Sequence, residues 1–280
     1  MPTITVIGSV NLDIVAKAAR LPAPGETVTG AELFRYPGGK GANQALAASR
    51  LGADVTLVAR VGEDSAADEA LALLRDGGVE LTQCVALEGI PTGTALIAVA
   101  PSGENQIVVA PGANRHLAPD DVDVPVTDAL ICQLEVPVDT VAKVASEFTG
   151  FLSVNLAPAA RIDVSVLQRA DLVIVNETES AWYGESLGAC DGMVATTRGA
   201  GRATLEKNGT LIAEAQPPAV ESIDATGAGD TFTAALTVAL VEGREPQDAL
   251  EFACAAGAVA TTRMGAQPSL PMREEVMSNG

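Results

Sequence analysis

The chain of 280 residues carries 36 acidic and 17 basic side chains, a formal charge of −19, and is 48% hydrophobic. That hydrophobic content excludes a disordered chain. The charge argues against duplex nucleic acid and an anionic membrane surface as partners, since both would repel it. An anionic substrate would need a local cradle of backbone amides or a basic side chain set against the overall field.

Cys84, Cys132, Cys190 and Cys254 form no C-x-x-C pair, and His116 is the only histidine, so a structural zinc site is not expected. Scattered cysteines in a chain of this length read as reduced thiols of a cytoplasmic protein. The N-terminus MPTITVIGSVNLD shows neither a basic leader nor a cleavage site, so a signal peptide is not expected. The apolar run 231–241 falls well short of the ~20 residues that cross a membrane.

The first predicted strand is 3–7, short and β-branched, ending at Gly8. Residues 14–36 alternate and carry turn signals at Pro22, Pro24 and Gly25, so they do not read as helix. A helix is predicted over 42–51 with Gly52 as its stop, then a strand over 54–60 and a helix over 65–76 closed by Gly77-Gly78. This βαβα rhythm predicts a parallel sheet covered by helices. It breaks at 91–112, where two alternating apolar runs flank the polar turn 101–105 and predict a β-hairpin. With 14–36, the hairpin would make a small sheet outside the main fold. The rhythm resumes with strand 129–133, helix 138–147, strand 151–155, a helix near 162–168 and strand 172–175. Two helices, 231–242 and 246–262, close the chain. With no internal repeat or low-complexity linker, the pattern predicts one α/β domain with a β-rich insertion.

Four constellations carry chemistry. In DATGAGDTF (224–232), small residues run into a helix whose first turn contains Asp230. Glycines let backbone N–H groups face a ligand, and the helix N-terminus adds donors and a positive dipole end, which together suit a phosphate. A carboxylate beside a phosphate site can take a proton from an attacking hydroxyl; the plainer reading is that Asp230 caps the helix. The segment PGGKGANQA (37–45) also opens a helix but lacks the P-loop pattern. Asn43 there offers donors and acceptors, and the plainer reading is a flexible loop. Asn11 and Asp13 follow the first strand and, two apart in extended chain, point the same way. They could form a fork for sugar hydroxyls or a simple turn. In NETE (176–179), oxygen ligands could organise Mg²⁺, or Asn176 or Thr178 could cap a helix. Phe232 occupies the third glycine position that a dinucleotide fingerprint needs, so a dinucleotide-dependent oxidoreductase is disfavoured.

Together the motifs resemble the ribokinase-like (PfkB-type) family of sugar kinases. They are VIGSVNLD, PGETVTG (24–30), GGKGANQA (38–45), GENQIVVAPGAN (103–114), QLE (133–135), NETE, DATGAGDTF and GAQPS (265–269), in family order and over nearly the whole chain. The motifs of the first half resemble the ribose-directed members more than the fructose- or adenosine-directed ones.

The resemblance implies a three-layer, doubly wound, mostly parallel α/β sheet in a single domain over 1–280, with a β-sheet lid formed by about 14–36 and 91–112. It implies ATP-dependent phosphorylation of the 5-hydroxyl of D-ribose. Asp230 would be the general base, and Gly227, Ala228 and Gly229 the anion hole. Asn11, Asp13, Gly39, Lys40, Asn43 and Glu135 would bind the sugar, with Ala95 and Ile107 touching it from the lid. Asn176, the stretch from Thr196 through Arg198 and Gly199 to Gly201, and Cys254 would line the nucleotide site with Gly229. Glu179 would stand near Mg²⁺. Potassium would sit among Asp224, Thr226, Ala260, Arg263, Gly265 and Ser269. The family's dimer would cover the lid, with Phe34 and the Val108-Val109 pair as interface candidates or, more simply, as packing on the sugar side.

Three features depart from the family pattern. Asn176 and Thr196 stand about one helix closer than usual, Arg198 replaces a glycine, and Cys254 takes the place of a frequent histidine. They bear on the nucleotide end and not on the base. The alternatives are a family kinase for deoxyribose, fructose or a nucleoside, and a non-catalytic sugar- or nucleotide-binding regulator, which the intact GAGD loop disfavours.

Overall fold

The computed structural model describes residues 1–124 and 126–279. In chain order its first elements are β1 (Thr3–Ile7), β2 (Asn11–Lys17), β3 (Glu32–Gly38), α1 (Lys40–Arg50), β4 (Asp54–Gly62), α2 (Ser65–Asp76), β5 (Cys84–Leu87), β6 (Gly93–Val99) and β7 (Asn105–Ala110). There follow β8 (Ala129–Gln133), α3 (Val138–Glu147), β9 (Phe151–Asn155), α4 (Val164–Arg169), β10 (Leu172–Asn176) and α5 (Glu177–Tyr183). The chain continues with β11 (Met193–Arg198), β12 (Gly201–Lys207), β13 (Thr210–Ala215), α6 (Ala228–Val241), α7 (Pro246–Ala260), α8 (Ala266–Ser269) and α9 (Arg273–Asn279).

The main sheet has nine strands in the order β13-β12-β11-β10-β9-β8-β1-β4-β5. Its pairs from β5 through β11 are parallel, and only β12 and β13 run antiparallel at one edge. Parallel strands are buried on both faces, so they read as unbroken Val/Ile/Leu runs. Alternate residues serve opposite layers. Val6 and Ile131 pack with α1, α2 and α6, while Ile7, Leu130 and Cys132 pack with α3 and α4. A third cluster joins Leu172 and Ile174 to α6 and α7. This is the expected three-layer α/β fold. Truncating a fully buried member such as Leu130 to Ala would cost about 2–5 kcal/mol.

β1 pairs with β4 on one side and β8 on the other, so the chain leaves it in both directions. Open α/β sheets bind ligands beyond the carboxyl ends of strands at such a switch point. Helix α1 starts at Lys40, two residues before the predicted 42, and lies tight against that crevice. A Cβ on Gly41 would stand 2.5 Å from the Ser9 nitrogen. Gly39, at φ +89°, turns the chain from β3 into this helix.

The second sheet has the order β3-β2-β6-β7. The hairpin predicted at 91–112 is present as β6 and β7, and β2 joins it in parallel. The register sorts the side chains. Val15, Phe34, Ile97 and Ile107 stand opposite one another and share a face with Asp13 and Val109. Phe34 and Val109 therefore belong to the inner face, where Lys17 Nζ lies 5.0 Å from the Phe34 ring centre. For these two the alternative of inner-face packing fits, while Val108 stands on the opposite face. The outer face carries Leu33, Leu96 and Val108, exposed by 67%, 50% and 65%.

Elements that the sequence reading did not place are β5, the β11–β13 edge, α5, α8 and α9. No helix among the described residues is long and apolar enough to cross a membrane.

Candidate active site

The site is built from the ends of β1, β8 and β9, the start of β2, and the first turns of α1 and α6. Asp230 is the third residue of α6, and Gly227, in the left-handed region at φ +81°, precedes the helix. No side chain caps this end, so Asp230 is free of the capping role that was its plainer reading. Its carboxylate is buried and held at both oxygens. Asn43 Nδ2 donates to Oδ2 at 2.8 Å, and Gln44 Nε2 donates to Oδ1 at 3.0 Å. Burial pushes Asp230 above the usual carboxylate range, with Glu135 adding to the shift, while Lys40 and the two amides oppose it.

Lys40 opens α1 amid carboxylates. Burial disfavours its ammonium, but Asp230, Glu135 and Glu179 outweigh that and hold Lys40 above its ordinary value. Glu135, just beyond β8, accepts the Lys40 backbone N–H at 3.1 Å and the Ser9 hydroxyl. Lys40 is thus a local positive charge of the kind an anionic ligand needs in so acidic a chain.

Asn11 and Asp13 are both buried and lie on one face of β2. Asn11 Oδ1 accepts from Asn114 Nδ2 at 2.8 Å, and Asn114 in turn takes the Val10 N–H. Glycines make room for the fork. A Cβ on Gly38 would meet Asp13 Oδ2 at 2.3 Å, and one on Gly93 would meet Asn11 Oδ1 at 2.2 Å. Burial raises Asp13 to about 7, with Glu135 and Asp230 adding to the effect. Asn43 Oδ1 is buried without a partner among the described residues, an acceptor suited to a ligand hydroxyl. Ala95 stands beside Asp13 in register, and Ile107 lies further out on the same face.

A cavity of about 1050 Å³ runs between the inner face of the second sheet and the loops at 223–226 and 264–266. Asp13, Tyr36, Ile107, Asp224, Thr226 and Gly265 are on its wall. Asp13 is on the wall of this cavity, whereas Lys40, Glu135, Glu179 and Asp230 are not.

Gly227 forms the turn before α6, and Ala228 and Gly229 open the helix. A Cβ on Gly229 would meet nothing within 4 Å, so this residue faces open space. The Ala228 N–H, however, donates to Ala225 O at 3.2 Å and is already engaged. The first N–H groups of any helix lie outside its ladder, which leaves those of Gly229 and Asp230 as donors.

Asp224, Thr226 and Gly265 come together. Asp224 Oδ1 accepts from the Thr226 N–H and hydroxyl at 2.9 and 2.6 Å, and Oδ2 from the Gly265 N–H at 2.9 Å. Burial raises Asp224, but these bonds and the nearby Lys17 outweigh it and hold the carboxyl low. Ala260 ends α7, and Thr261 O accepts the Asp224 N–H at 3.0 Å. The Arg263 side chain turns away to Glu275, and the Ser269 hydroxyl donates to Ala266 O at 2.7 Å.

Asn176 accepts the Glu179 N–H at 2.9 Å, while Glu179 accepts the Asn176 N–H at 2.8 Å, a reciprocal cap of α5. The capping alternative for Asn176 is therefore realised. Glu179 is nonetheless buried, raised by that burial, and within reach of Lys40 and Asp230. Thr196 pairs with Val175 in the sheet, and Arg198, Gly199 and Gly201 form the β11–β12 turn. Arg198 Nη1 donates to Arg202 O at 3.0 Å and is held within its own hairpin. Cys254 is packed in the core between α7 and β13, and burial pushes its thiol up to about 12. The structure thus gathers the sugar-side and base residues into one place, whereas Arg198 and Cys254 are engaged elsewhere.

Ser9, Gln44, Asn114 and Asn155 belong to the site but had no role in the sequence reading. Ser9, Gln44 and Asn114 stood inside quoted motifs, and Asn155 at the end of a predicted strand.

The chain is similar over its whole length to known proteins. The family model described as pfkB family carbohydrate kinase covers residues 1–273. The chain is 35% identical over 290 residues to a ribokinase of Bacillus subtilis, covering 99% of this chain and 98% of that one. It is 34% identical over 303 residues to a ribokinase of Haemophilus influenzae, covering 98% and 97%. A ribokinase structure from Thermotoga maritima superposes with a TM-score of 0.91 at 32% identity, covering 99% of each chain. The Arabidopsis thaliana ribokinase complexed with ribose and ATP gives 0.84 at 29% identity, covering 99% and 98%. The chain belongs to the pfkB family of carbohydrate kinases.

Proposed function

We propose that the protein transfers the γ-phosphoryl group of ATP to the 5-hydroxyl of D-ribose, giving ribose 5-phosphate and ADP. The observation that carries this reading is the buried Asp230 carboxylate, set at the start of α6 and tied by Asn43 to the sugar-side loop. Full-length similarity to ribokinases supports it.

Asn11, Asp13 and the unpaired Asn43 Oδ1 take the ring hydroxyls, with Gly39, Lys40 and Glu135 completing the wall. Asp230 accepts the 5-hydroxyl proton as that oxygen forms its bond to the γ-phosphorus. The bond to the bridging oxygen breaks and its electron pair leaves on ADP. Such transfer is mainly positioning and charge stabilisation. Lys40 and the first amides of α6 counter the charge on the transferred group, and the Ala228 N–H joins them once released from Ala225. Asn176 and the Thr196–Gly201 turn border the nucleotide.

Two cations fit the donors present. Glu179 offers a carboxylate with one oxygen outside the helix cap. That oxygen would suit Mg²⁺, a hard cation that takes oxygen ligands and keeps several waters. The oxygens around Asp224, Thr226, Ala260, Arg263, Gly265 and Ser269 suit K⁺, whose charge would steady the turn before α6. When bound, these ions supply fixed positive charge beside the phosphates.

The whole chain is read as one domain in which the second sheet is a lid. Closing over the cavity, it would exclude water that otherwise accepts the phosphoryl group. Its outer apolar face, Leu33, Leu96 and Val108, would be covered in a homodimer. The test is proton-coupled ³¹P spectroscopy of the product. A triplet places the phosphate on the primary C5 oxygen; a doublet places it on a secondary or anomeric oxygen and overturns the assignment.

A further inference from the structure

Gln44 follows Asn43 on α1 and is fully buried. Apart from Asn43, the other buried side chains of that helix are apolar: Ala42, Ala45, Leu46, Ala47 and Ala48. Burying a carboxamide is unfavourable unless its polar atoms are paired. Here Nε2 is shared between Asp230 Oδ1 at 3.0 Å and Asn155 Oδ1 at 3.2 Å, while Oε1 has no partner among the described residues. The donors alone thus justify the residue at this position. Leu or Met would fill the space without leaving a buried orphan oxygen.

The pairing also fixes how the amide is turned. With oxygen and nitrogen exchanged, the carbonyl would oppose both the Asp230 carboxylate and the Asn155 carbonyl. Asn155, at the end of β9, is itself anchored by donating to Ile174 O at 3.2 Å. A continuous path therefore runs from the central sheet through Asn155 and Gln44 to the carboxylate on α6.

We propose that Gln44 is a positioning residue, which holds Asp230 Oδ1 so that the remaining lone pairs of the carboxylate face the attacking hydroxyl. It touches neither sugar nor nucleotide in this account. It acts through Asp230, and the proposal rests on Asp230 being the base.

A second consequence concerns ionisation. Asp230 is faced by Lys40 from α1, Glu135 from beyond β8, Asp13 from β2 and Glu179 from α5. Three carboxyl groups facing it against one ammonium make the neutral acid easier to reach. The Gln44 bond favours the ionised form, as a donor to a carboxylate does.

The test compares the full-length wild type, Gln44→Met, Asn155→Ser, Asp230→Asn and the double variant Gln44→Met/Asp230→Asn. Measurements are kcat, KM for ribose, ribose binding by calorimetry, and the pH profile of kcat/KM. Gln44→Met is expected to lower kcat roughly 30-fold, with ribose affinity within about threefold, and to move the acid limb to higher pH. Asn155→Ser should give a smaller change in the same direction. In the Asp230→Asn background, Gln44→Met should cost nothing further, since there is no base left to position.

The proposal is overturned if Gln44→Met leaves kcat and the acid limb unchanged in an active enzyme. Full additivity with Asp230→Asn, or loss of ribose binding equal to the loss of turnover, also overturns it. Should Gln44→Met fail to fold, Asn155→Ser decides, and an unchanged kcat there counts against the proposal. A wild type without ribose-dependent turnover would instead refute the kinase reading itself.

Discussion

Asn43 and Asp230 are joined by a 2.8 Å hydrogen bond across 187 residues of sequence. The bond closes the gap between the loop opening α1 and the turn opening α6, so the two strongest motifs of the chain form one site. Asn43 keeps its carbonyl oxygen unpaired among the described residues. One carboxamide can then grip a ligand hydroxyl and orient the base together.

Asp230→Asn removes the proton acceptor while keeping shape. Turnover is expected to fall about 10²–10⁴-fold, with ribose affinity little changed. Steady-state rates and calorimetry check this, and near-normal turnover would show that another group takes the proton.

Asp13 gives a pH signature. Its folded value of about 7 lies above the ordinary 3.8, so the folded state binds its proton more tightly than the unfolded chain does. Stability from this group is fully present below pH 3.8 and is lost as pH rises through about 7. Without sugar, Asp13→Asn should therefore raise the Tm at pH 8.5, by an effect of order 3 kcal/mol, and change little at pH 4. The same variant should weaken ribose binding at least tenfold at pH 8.5, because a carboxylate acceptor is lost. Thermal scans at both pH values decide; an equal shift at each would contradict the assignment to Asp13.

Gly38→Ala tests the space around that carboxylate. The new methyl would stand 2.3 Å from Asp13 Oδ2, so the side chain must move from its place in the fork. A rise in KM for ribose of roughly tenfold or more is expected, with KM for ATP unchanged. Equal losses for both substrates would indicate general unfolding.

The Asp224 loop predicts cation dependence. Replacing KCl by NaCl should lower the rate, and Asp224→Ala should remove the difference between the salts while lowering both rates. A wild-type rate indifferent to the exchange would remove the cation from the account.

The buried parallel strands were legible because each is a short, largely apolar run set between helical stretches; 129–133 and 151–155 agree with β8 and β9 to the residue. Boundaries slipped where tertiary contact overrode local signals, as at Lys40, which begins α1 because Gly41 lets the helix press on Ser9. The β11–β13 edge was missed because its alternation is weak and polar. Asn11, Asp13, Asn43 and Asp230 could be named from their motifs. Gln44 and Asn155 could not, since their role exists only where α1, β9 and α6 meet. Arg198 and Cys254 were placed by resemblance, and the folded chain uses them for a hairpin bond and core packing.

The most direct test of the central claim is ADP release from Mg-ATP with K⁺, with D-ribose set against deoxyribose, fructose, adenosine and a no-sugar blank. Ribose-dependent release well above every other acceptor is predicted. Release with another acceptor and not with ribose, or none with any sugar from a folded sample, would contradict the account.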